Sequence, residues 1–226
     1  MELKNILKKG TSISSSGTTG PAKDIFQSPQ KIQQANKVAR EVQQITKDSK
    51  VYTVCKLDHA GGLLAQTLPA IEIDAEVYIE QFNPYSWVQK INDFTHTHLT
   101  PGMALAVSKT KGWKDLNLEN IIVACGSDRV PAECINKFVE KGATFITNWG
   151  MSEVGPIAIN KTFTPKDEQA YDLPLYTLMG DTAFVETKIV RHELYVRGNI
   201  CVYDDWFATG DLVKYEKGNY WYYGRK

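Results

Sequence analysis

The feature that most restricts how this chain can fold is an alternation of two periodicities between Val51 and Trp149. The β-branched or apolar runs Val51–Leu57, Ala75–Ile79, Thr95–Leu99, Ile121–Cys125 and Ala143–Trp149 read as strands. Between them, Gly62–Ala70, a segment from Asn83-Pro84 to Phe94, one opened by Pro101, and Pro131–Lys141 read as helices. Strands alternating with amphipathic helices predict an α/β fold, a largely parallel sheet covered by helices. Ahead of this region, Ser28-Pro29 opens a helix whose Ile32, Ala35, Val38, Ala39, Val42 and Ile45 recur at helical spacing; its Gln- and Lys-rich side reads as a solvated face. Residues 1–10 suggest a short amphipathic helix and Thr11–Ser14 a short strand. After about Pro165 the texture turns to strands, Thr182–Val190, Glu193–Val196 and Leu212–Tyr223, with a hairpin turn at Lys217-Gly218-Asn219. The expected organisation is an α/β core over 1–164 and a smaller β-rich subdomain over 165–226.

Composition excludes several classes. Acidic and basic residues balance at 26 each in 226 residues, so no field for a nucleic acid or another polyanion is implied. No apolar run approaches the ~20 residues that span a bilayer, and the charged N-terminus lacks a signal peptide's apolar core. The four cysteines, Cys55, Cys125, Cys134 and Cys201, have no Cys-x-x-Cys spacing, and three lie in apolar runs. Reduced thiols in a cytoplasmic protein are expected.

The stretch Ser14-Ser15-Ser16-Gly17-Thr18-Thr19-Gly20-Pro21-Ala22-Lys23 holds five hydroxyls, two glycines and a lysine, with no large apolar side chain. It suits a loop that wraps an anion: glycines let backbone N–H groups approach, hydroxyls donate, and Lys23 supplies charge. A flexible linker fits less well, because Pro21 and Lys23 lead straight into structured sequence. The Walker pattern is ruled out, since Lys23 is followed by the extended run Asp24-Ile25-Phe26-Gln27 and opens no helix.

Other stretches carry polar chemistry at the ends of strands. His59-Ala60-Gly61-Gly62 offers a backbone that can approach a ligand, although a lone histidine is more often structural. Thr95-His96-Thr97-His98 has no third metal ligand and is read as scaffold. Cys125-Gly126-Ser127-Asp128-Arg129-Val130-Pro131 is either a ligand-facing strand-to-helix turn or a plain one. Asn148-Trp149-Gly150-Met151-Ser152-Glu153 joins an aromatic, a glycine, a hydroxyl and a carboxylate in fixed order. A serine-hydrolase elbow is a poor fit there, because Gly155 is misplaced. Thr209-Gly210-Asp211 would by itself be an ordinary turn.

Together these stretches resemble the adenylate-forming, AMP-binding enzyme superfamily, in particular its acyl-CoA synthetase and succinylbenzoate-CoA ligase branch. The Ser/Thr/Gly loop resembles the family's phosphate loop, with the proline one place early. Trp149-Gly150-Met151-Ser152-Glu153 resembles its Tyr-Gly-x-Thr-Glu, Trp206-Phe207-Ala208-Thr209-Gly210-Asp211-Leu212 its Trp-Phe-x-Thr-Gly-Asp-Leu, and Gly224-Arg225 its Gly-Arg. The Cys125–Pro131 turn matches in part, with Cys125 in place of a glycine. The resemblance implies that Ser15, Ser16, Gly17, Thr18, Thr19 and Gly20 hold phosphate. It implies that Gly126, Ser127, Asn148, Trp149 and Gly150 border the nucleotide, and that Asp211 and Arg225 reach the ribose. Lys23, Ser152 and Glu153 are implied to be catalytic, Glu153 with Thr18 to serve Mg²⁺, and His59, Gly61 and Gly62 to border the acyl pocket. The implied reaction joins a small carboxylic acid to ATP as an acyl-adenylate, which a thiol then displaces; CoA is a candidate. The family's mobile C-terminal lid, with its lysine, would follow Lys226, so the chain is expected to be slow by itself, to bind nucleotide without turnover, or to be completed by a lid in trans.

Overall fold

The computed structural model describes residues 3–14 and 23–226. In chain order these form α1 (Leu3–Lys9), β1 (Thr11–Ser14), β2 (Asp24–Gln27), α2 (Pro29–Gln43), β3 (Lys50–Thr53), α3 (Ala60–Gly62), a π turn (Leu63–Thr67), α4 (Leu68–Glu72) and β4 (Glu76–Ile79). Then come α5 (Pro84–Lys90), β5 (His96–Leu99), α6 (Pro101–Ser108), β6 (Ile122–Cys125), α7 (Ala132–Glu140), β7 (Thr144–Met151) and β8 (Gly155–Phe163). The remainder is all strand: β9 (Thr177–Gly180), β10 (Thr182–Ala183), β11 (Glu186–Val190), β12 (Glu193–Arg197), β13 (Phe207–Glu216) and β14 (Asn219–Arg225).

Helix starts follow local chemistry. The Ser28 side chain accepts from Lys31 N–H, Asn83 from Tyr85 and Ser86 N–H, and Thr100 from Met103 N–H, each with proline at the first helical position. Where the structure departs from the expected spans, packing is the cause. The run expected as one strand to Leu57 leaves the sheet after Thr53, and Gly62 tucks beneath it, its hypothetical Cβ only 2.0 Å from the Lys56 carbonyl oxygen. The helix expected over Gly62–Ala70 is interrupted by the π turn, which precedes a fresh start with Pro69 in the first turn of α4. The polar side of α2 is not wholly solvated. Asn36 and Gln43 are buried there, and Gln43 donates to the Ala65 carbonyl at 2.7 Å while accepting from Gln66 at 2.7 Å. α2 is covered by α4 and the π turn on that side, and the amide ladder satisfies main-chain groups that this packing cuts off from water.

The main sheet has seven strands in the order β10-β8-β7-β6-β5-β3-β4. The strands from β4 to β7 are parallel, and β8 and β10 are antiparallel additions at one edge. Strand order reverses between β3 and β5, because the chain goes outward to β4 and returns past β3. In open α/β sheets, ligands bind outside the carboxyl ends of the parallel strands. Trp87, Leu99, Val107, Phe138 and Phe145 fill the layer between the sheet and α5–α7, with the Trp87 and Phe138 rings edge to face at 6.2 Å. A separate cluster of Ile6, Ile13, Ile32, Leu63, Leu64 and Leu68 lies under α1 and α2. Burying each such side chain contributes about 1.5–3 kcal/mol.

The second sheet is antiparallel, with order β11-β12-β13-β14-β9. Lys217 and Gly218, both at positive φ (52° and 77°), make the tight turn between β13 and β14. Val154, in the turn before β8, and Ala158 of β8 pack with Val196 and Val213 of this sheet, so the two sheets share a core. β1 and β2 form a separate hairpin in which Ser14 faces Asp24 and donates to its carboxylate at 2.8 Å.

Candidate nucleotide site

The carboxyl ends of β6 and β7 meet β13 and β14 of the antiparallel sheet across an open groove of about 460 Å³. That volume lies within the ~300–1,000 Å³ usual for small-molecule sites. Of the residues singled out from the sequence, Ser127, Asn148, Trp149, Gly150, Asp211 and Arg225 line it. Glycine is required beside it on steric grounds. A Cβ on Gly126 would stand 2.4 Å from the Asn148 carbonyl oxygen, and one on Gly150 would stand 2.2 Å from that of Gly155. The backbone segments therefore approach one another closely at both strand ends. Asn148 is fixed by donating its amide to the Pro156 carbonyl at 2.8 Å.

Asp211 is the most constrained group in the groove. It is only 6% exposed, and the Trp149 indole N–H donates to its Oδ2 at 2.8 Å. The Arg225 Nε lies 3.6 Å from its Oδ1. Its own N–H donates to the Thr209 hydroxyl at 3.1 Å, and that hydroxyl donates to the Leu194 carbonyl at 2.8 Å. Burial pushes the carboxyl pKa up, while the Trp149 bond and the Arg225 charge oppose the rise. A buried carboxylate with spare lone pairs, flanked by an aromatic face and a guanidinium, is equipped to accept paired hydroxyls of a sugar.

The remaining candidates lie around this groove. Ser15, Ser16, Gly17, Thr18, Thr19 and Gly20 lie outside the described residues. Lys23 is exposed at the start of β2. Two residues after β2 begins, Phe26 gives way to Gln27, a buried amide that donates to the Ser152 carbonyl at 2.7 Å. This bond ties the β1–β2 hairpin to the turn carrying Ser152 and Glu153, where the Glu153 carbonyl also accepts from Val202 N–H at 2.9 Å. Ser152 and Glu153 follow the groove-lining strand but do not line the groove themselves. His59 is exposed and 3.7 Å from Asp58. Gly61 is packed so closely that a Cβ there would be 2.9 Å from the Ser127 hydroxyl and 3.1 Å from the His98 ring. Within the His59–Gly62 segment, Gly61 thus abuts Ser127, which lines the groove.

Sequence reasoning missed four contributors. Arg129 stacks on the Tyr222 ring at 4.7 Å, and both line the groove. Tyr222 was legible only as one member of a strand. His98, read as scaffold, stands beside Gly61, and burial drives its imidazole down to about 4, with Asn148 opposing. Gln27 carried no signal, because its partner is 125 residues away.

The fit to a magnesium nucleotide is chemical. Among the described residues no group of three or more His, Cys, Asp or Glu could hold a metal ion. A divalent ion here would take one carboxylate from the protein and its other oxygens from phosphate and water, the usual division for Mg²⁺. No helix among the described residues is long and apolar enough to cross a membrane.

Fold and groove together define a doubly wound α/β protein with a ligand site at the carboxyl ends of its parallel strands. Residues 12–210 match the AMP-binding enzyme family, and the chain belongs to that family. It is 26% identical over 238 residues to an indoleacetate–CoA ligase of Aromatoleum aromaticum, covering 93% of this chain and 46% of that enzyme. It is 23% identical over 116 residues to a feruloyl-CoA synthase of an Amycolatopsis species, covering 50% of this chain and 24% of that one. ATP-bound MatB from Rhodopseudomonas palustris superposes with a TM-score of 0.79 at 16% identity, over 95% of this chain and 47% of that one. The O-succinylbenzoate coenzyme A synthetase (MenE) of Bacillus subtilis, in complex with ATP and magnesium, gives 0.77 at 20% identity, over 94% and 49%. The fold is therefore that of an adenylate-forming core. The chain spans about half the length of the indoleacetate–CoA ligase and of both solved structures.

Proposed function

We propose that this chain is the nucleotide- and acyl-binding core of an ATP-dependent carboxylate-activating ligase, forming an acyl-adenylate for transfer to a thiol such as CoA. The observation that carries the reading is the Trp149–Asp211–Arg225 arrangement across the groove between the two sheets. In this reading adenine lies over the strand ends at Gly126, Ser127 and Gly150 beside the Trp149 ring, and Asp211 accepts the ribose hydroxyls with Arg225 beside it. The loop from Ser15 to Gly20 and Lys23 hold the phosphates, Glu153 and Thr18 serve Mg²⁺, and Ser152 donates to the α-phosphate. Mg²⁺, when bound, neutralises phosphate charge. His59, Gly61 and Gly62 border the acid. In-line attack of a carboxylate on the α-phosphate needs positioning and charge neutralisation more than covalent chemistry from the protein. Residues 1–164 supply the nucleotide and acyl floor, and 165–226 the ribose wall. All four cysteines are free, which supports a cytoplasmic setting.

The test is carboxylate-dependent pyrophosphate release from Mg-ATP across short, aromatic and long-chain acids. Release that depends on one acid and falls at least about tenfold in both Lys23→Ala and Glu153→Ala supports the reading. Folded protein that binds neither Mg-ATP nor an acyl-adenylate analogue overturns it. The span of about half the relatives' length favours a second reading, a core that binds nucleotide and needs a lid supplied in trans. ATP bound without pyrophosphate release is its signature.

A further inference from the structure

A second cavity, of about 230 Å³, lies between α6 and α7, beside the nucleotide groove. Pro101, Ala104 and Phe138 give it apolar walls, and Leu105, which also lines it, is 45% exposed. Three charged side chains share the lining: Arg129, Glu133 and Lys137. Glu133 and Lys137 neutralise each other across one turn of α7, at 2.6 Å. Arg129 differs. Its guanidinium stacks on the Tyr222 ring at 4.7 Å and donates to the Tyr223 carbonyl at 3.4 Å, and among the described residues it forms no ion pair. The adjacent Asp128 carboxylate accepts instead from the Arg129 main-chain N–H, at 2.7 Å. Arg129 lines the cavity and the nucleotide groove alike.

Size and charge together select an occupant. An apolar cavity of about 150 Å³ takes up benzene, so this one holds a single ring with a small substituent. That substituent is anionic, because the uncompensated cation is a guanidinium, which grips a carboxylate through two parallel N–H···O bonds. The helix starts do not compete for the anion. The Ala132 N–H at the start of α7 donates to Asp172 at 2.8 Å, and Thr100 caps α6.

We propose that the α6–α7 cavity binds a small aromatic monocarboxylate, its ring against Phe138 and Leu105 and its carboxylate on Arg129, as an effector site distinct from the acyl and nucleotide positions. A carboxylate there competes with the Tyr222 ring for one guanidinium. Occupancy therefore draws positive charge out of the groove and weakens the hold on an anionic nucleotide. That coupling rests on the function proposed above; binding in the cavity does not.

The experiment uses the full chain, labelled with ¹³C in its alanine and leucine methyl groups and titrated with benzoate. Saturable shifts centred on Ala104 and Leu105 are expected, with a Kd of about 0.1–1 mM. Benzamide, which keeps the ring and loses the charge, should bind at least about tenfold more weakly, and so should acetate, which keeps the charge without the ring. Leu105→Glu, at an exposed position, sets a like charge beside the ligand and should abolish the Ala104 shift. Arg129→Gln should bring benzoate down to the affinity of benzamide. Benzamide binding as tightly as benzoate overturns the role of Arg129; shifts centred elsewhere, or none at Ala104 and Leu105 up to about 20 mM benzoate, overturn the site. Calorimetric titration of Mg-ATP with and without saturating benzoate then tests the coupling. An affinity about fivefold lower with benzoate in the wild type, and unchanged by it in Leu105→Glu, is expected. No change in the wild type, or the same fall in Leu105→Glu, overturns the coupling. Absence of Mg-ATP binding without benzoate counts against the nucleotide reading, while the methyl shifts still decide the cavity.

Discussion

At the scale of single residues, Asp211 concentrates the argument. Because burial raises its pKa above the unfolded value, its protonated form is favoured by the fold. The associated stability is fully present below the unfolded pKa and is lost as pH rises through the folded one. At pH 7 the ionised carboxylate is held at a cost. Asp211→Asn is expected to keep or raise stability by up to about 1 kcal/mol at pH 7, while Mg-ATP affinity falls about tenfold or more. Thermal melts and calorimetry on the same samples check both halves. Trp149→Phe keeps a ring over the groove and removes only the donor to Asp211, so its affinity loss should be about 0.5–1.5 kcal/mol, smaller than that of Asp211→Asn. Trp149, Asp211 and Arg225 were all legible in the sequence from the order of their motifs. Their contact was not, because Trp149 and Asp211 are 62 residues apart and meet only when the two sheets dock.

At the scale of elements, what could be read depended on how local the cause was. Helix starts at Ser28, Asn83 and Thr100 were visible because a cap bonds to an N–H two or three residues away. The end of β3 and the π turn were not, because the close packing of Gly62 under the Lys56 carbonyl arises only once the chain has folded back on itself. The Glu80 knot after β4 is another long-range feature. Glu80 accepts from Lys90 and Ser86 of α5 and from Tyr52 of β3, joining the sheet edge to its covering helix. Lys90 first, then Tyr52, pulls its carboxyl from 4.5 down to about 2. A depressed carboxylate stabilises the fold above its unfolded pKa, and that contribution is lost as pH falls through about 2. Glu80→Gln should therefore cost about 1–2 kcal/mol at pH 7 after solvent screening, and flatten the acid limb of the melting curve below about pH 4. A melting-temperature series against pH, run on both proteins, decides this; parallel limbs would refute the assignment.

At the scale of the whole molecule, the groove exists because the antiparallel sheet is pinned against the parallel one. The chain crosses between them at Gly180, where β9 ends and β10 returns to pair with β8. A Cβ on Gly180 would stand 2.4 Å from the Asn160 carbonyl carbon and oxygen. Gly180→Ala should cost about 1–3 kcal/mol and weaken nucleotide binding together with stability, since it parts the two walls of one site. A melt paired with Mg-ATP titration tests the coupling, and a loss of stability with affinity intact would contradict it. The α/β class and the β-rich texture after Pro165 were readable from periodicity. This junction was not, because β10 is two residues long and belongs to the sheet its neighbours have left. Arg225 lines the groove, and the next residue's N–H is bonded to the Gly210 carbonyl at 2.9 Å. A dye attached at position 226 would therefore sit at the mouth of the site, and its emission would register occupancy without any label on the nucleotide.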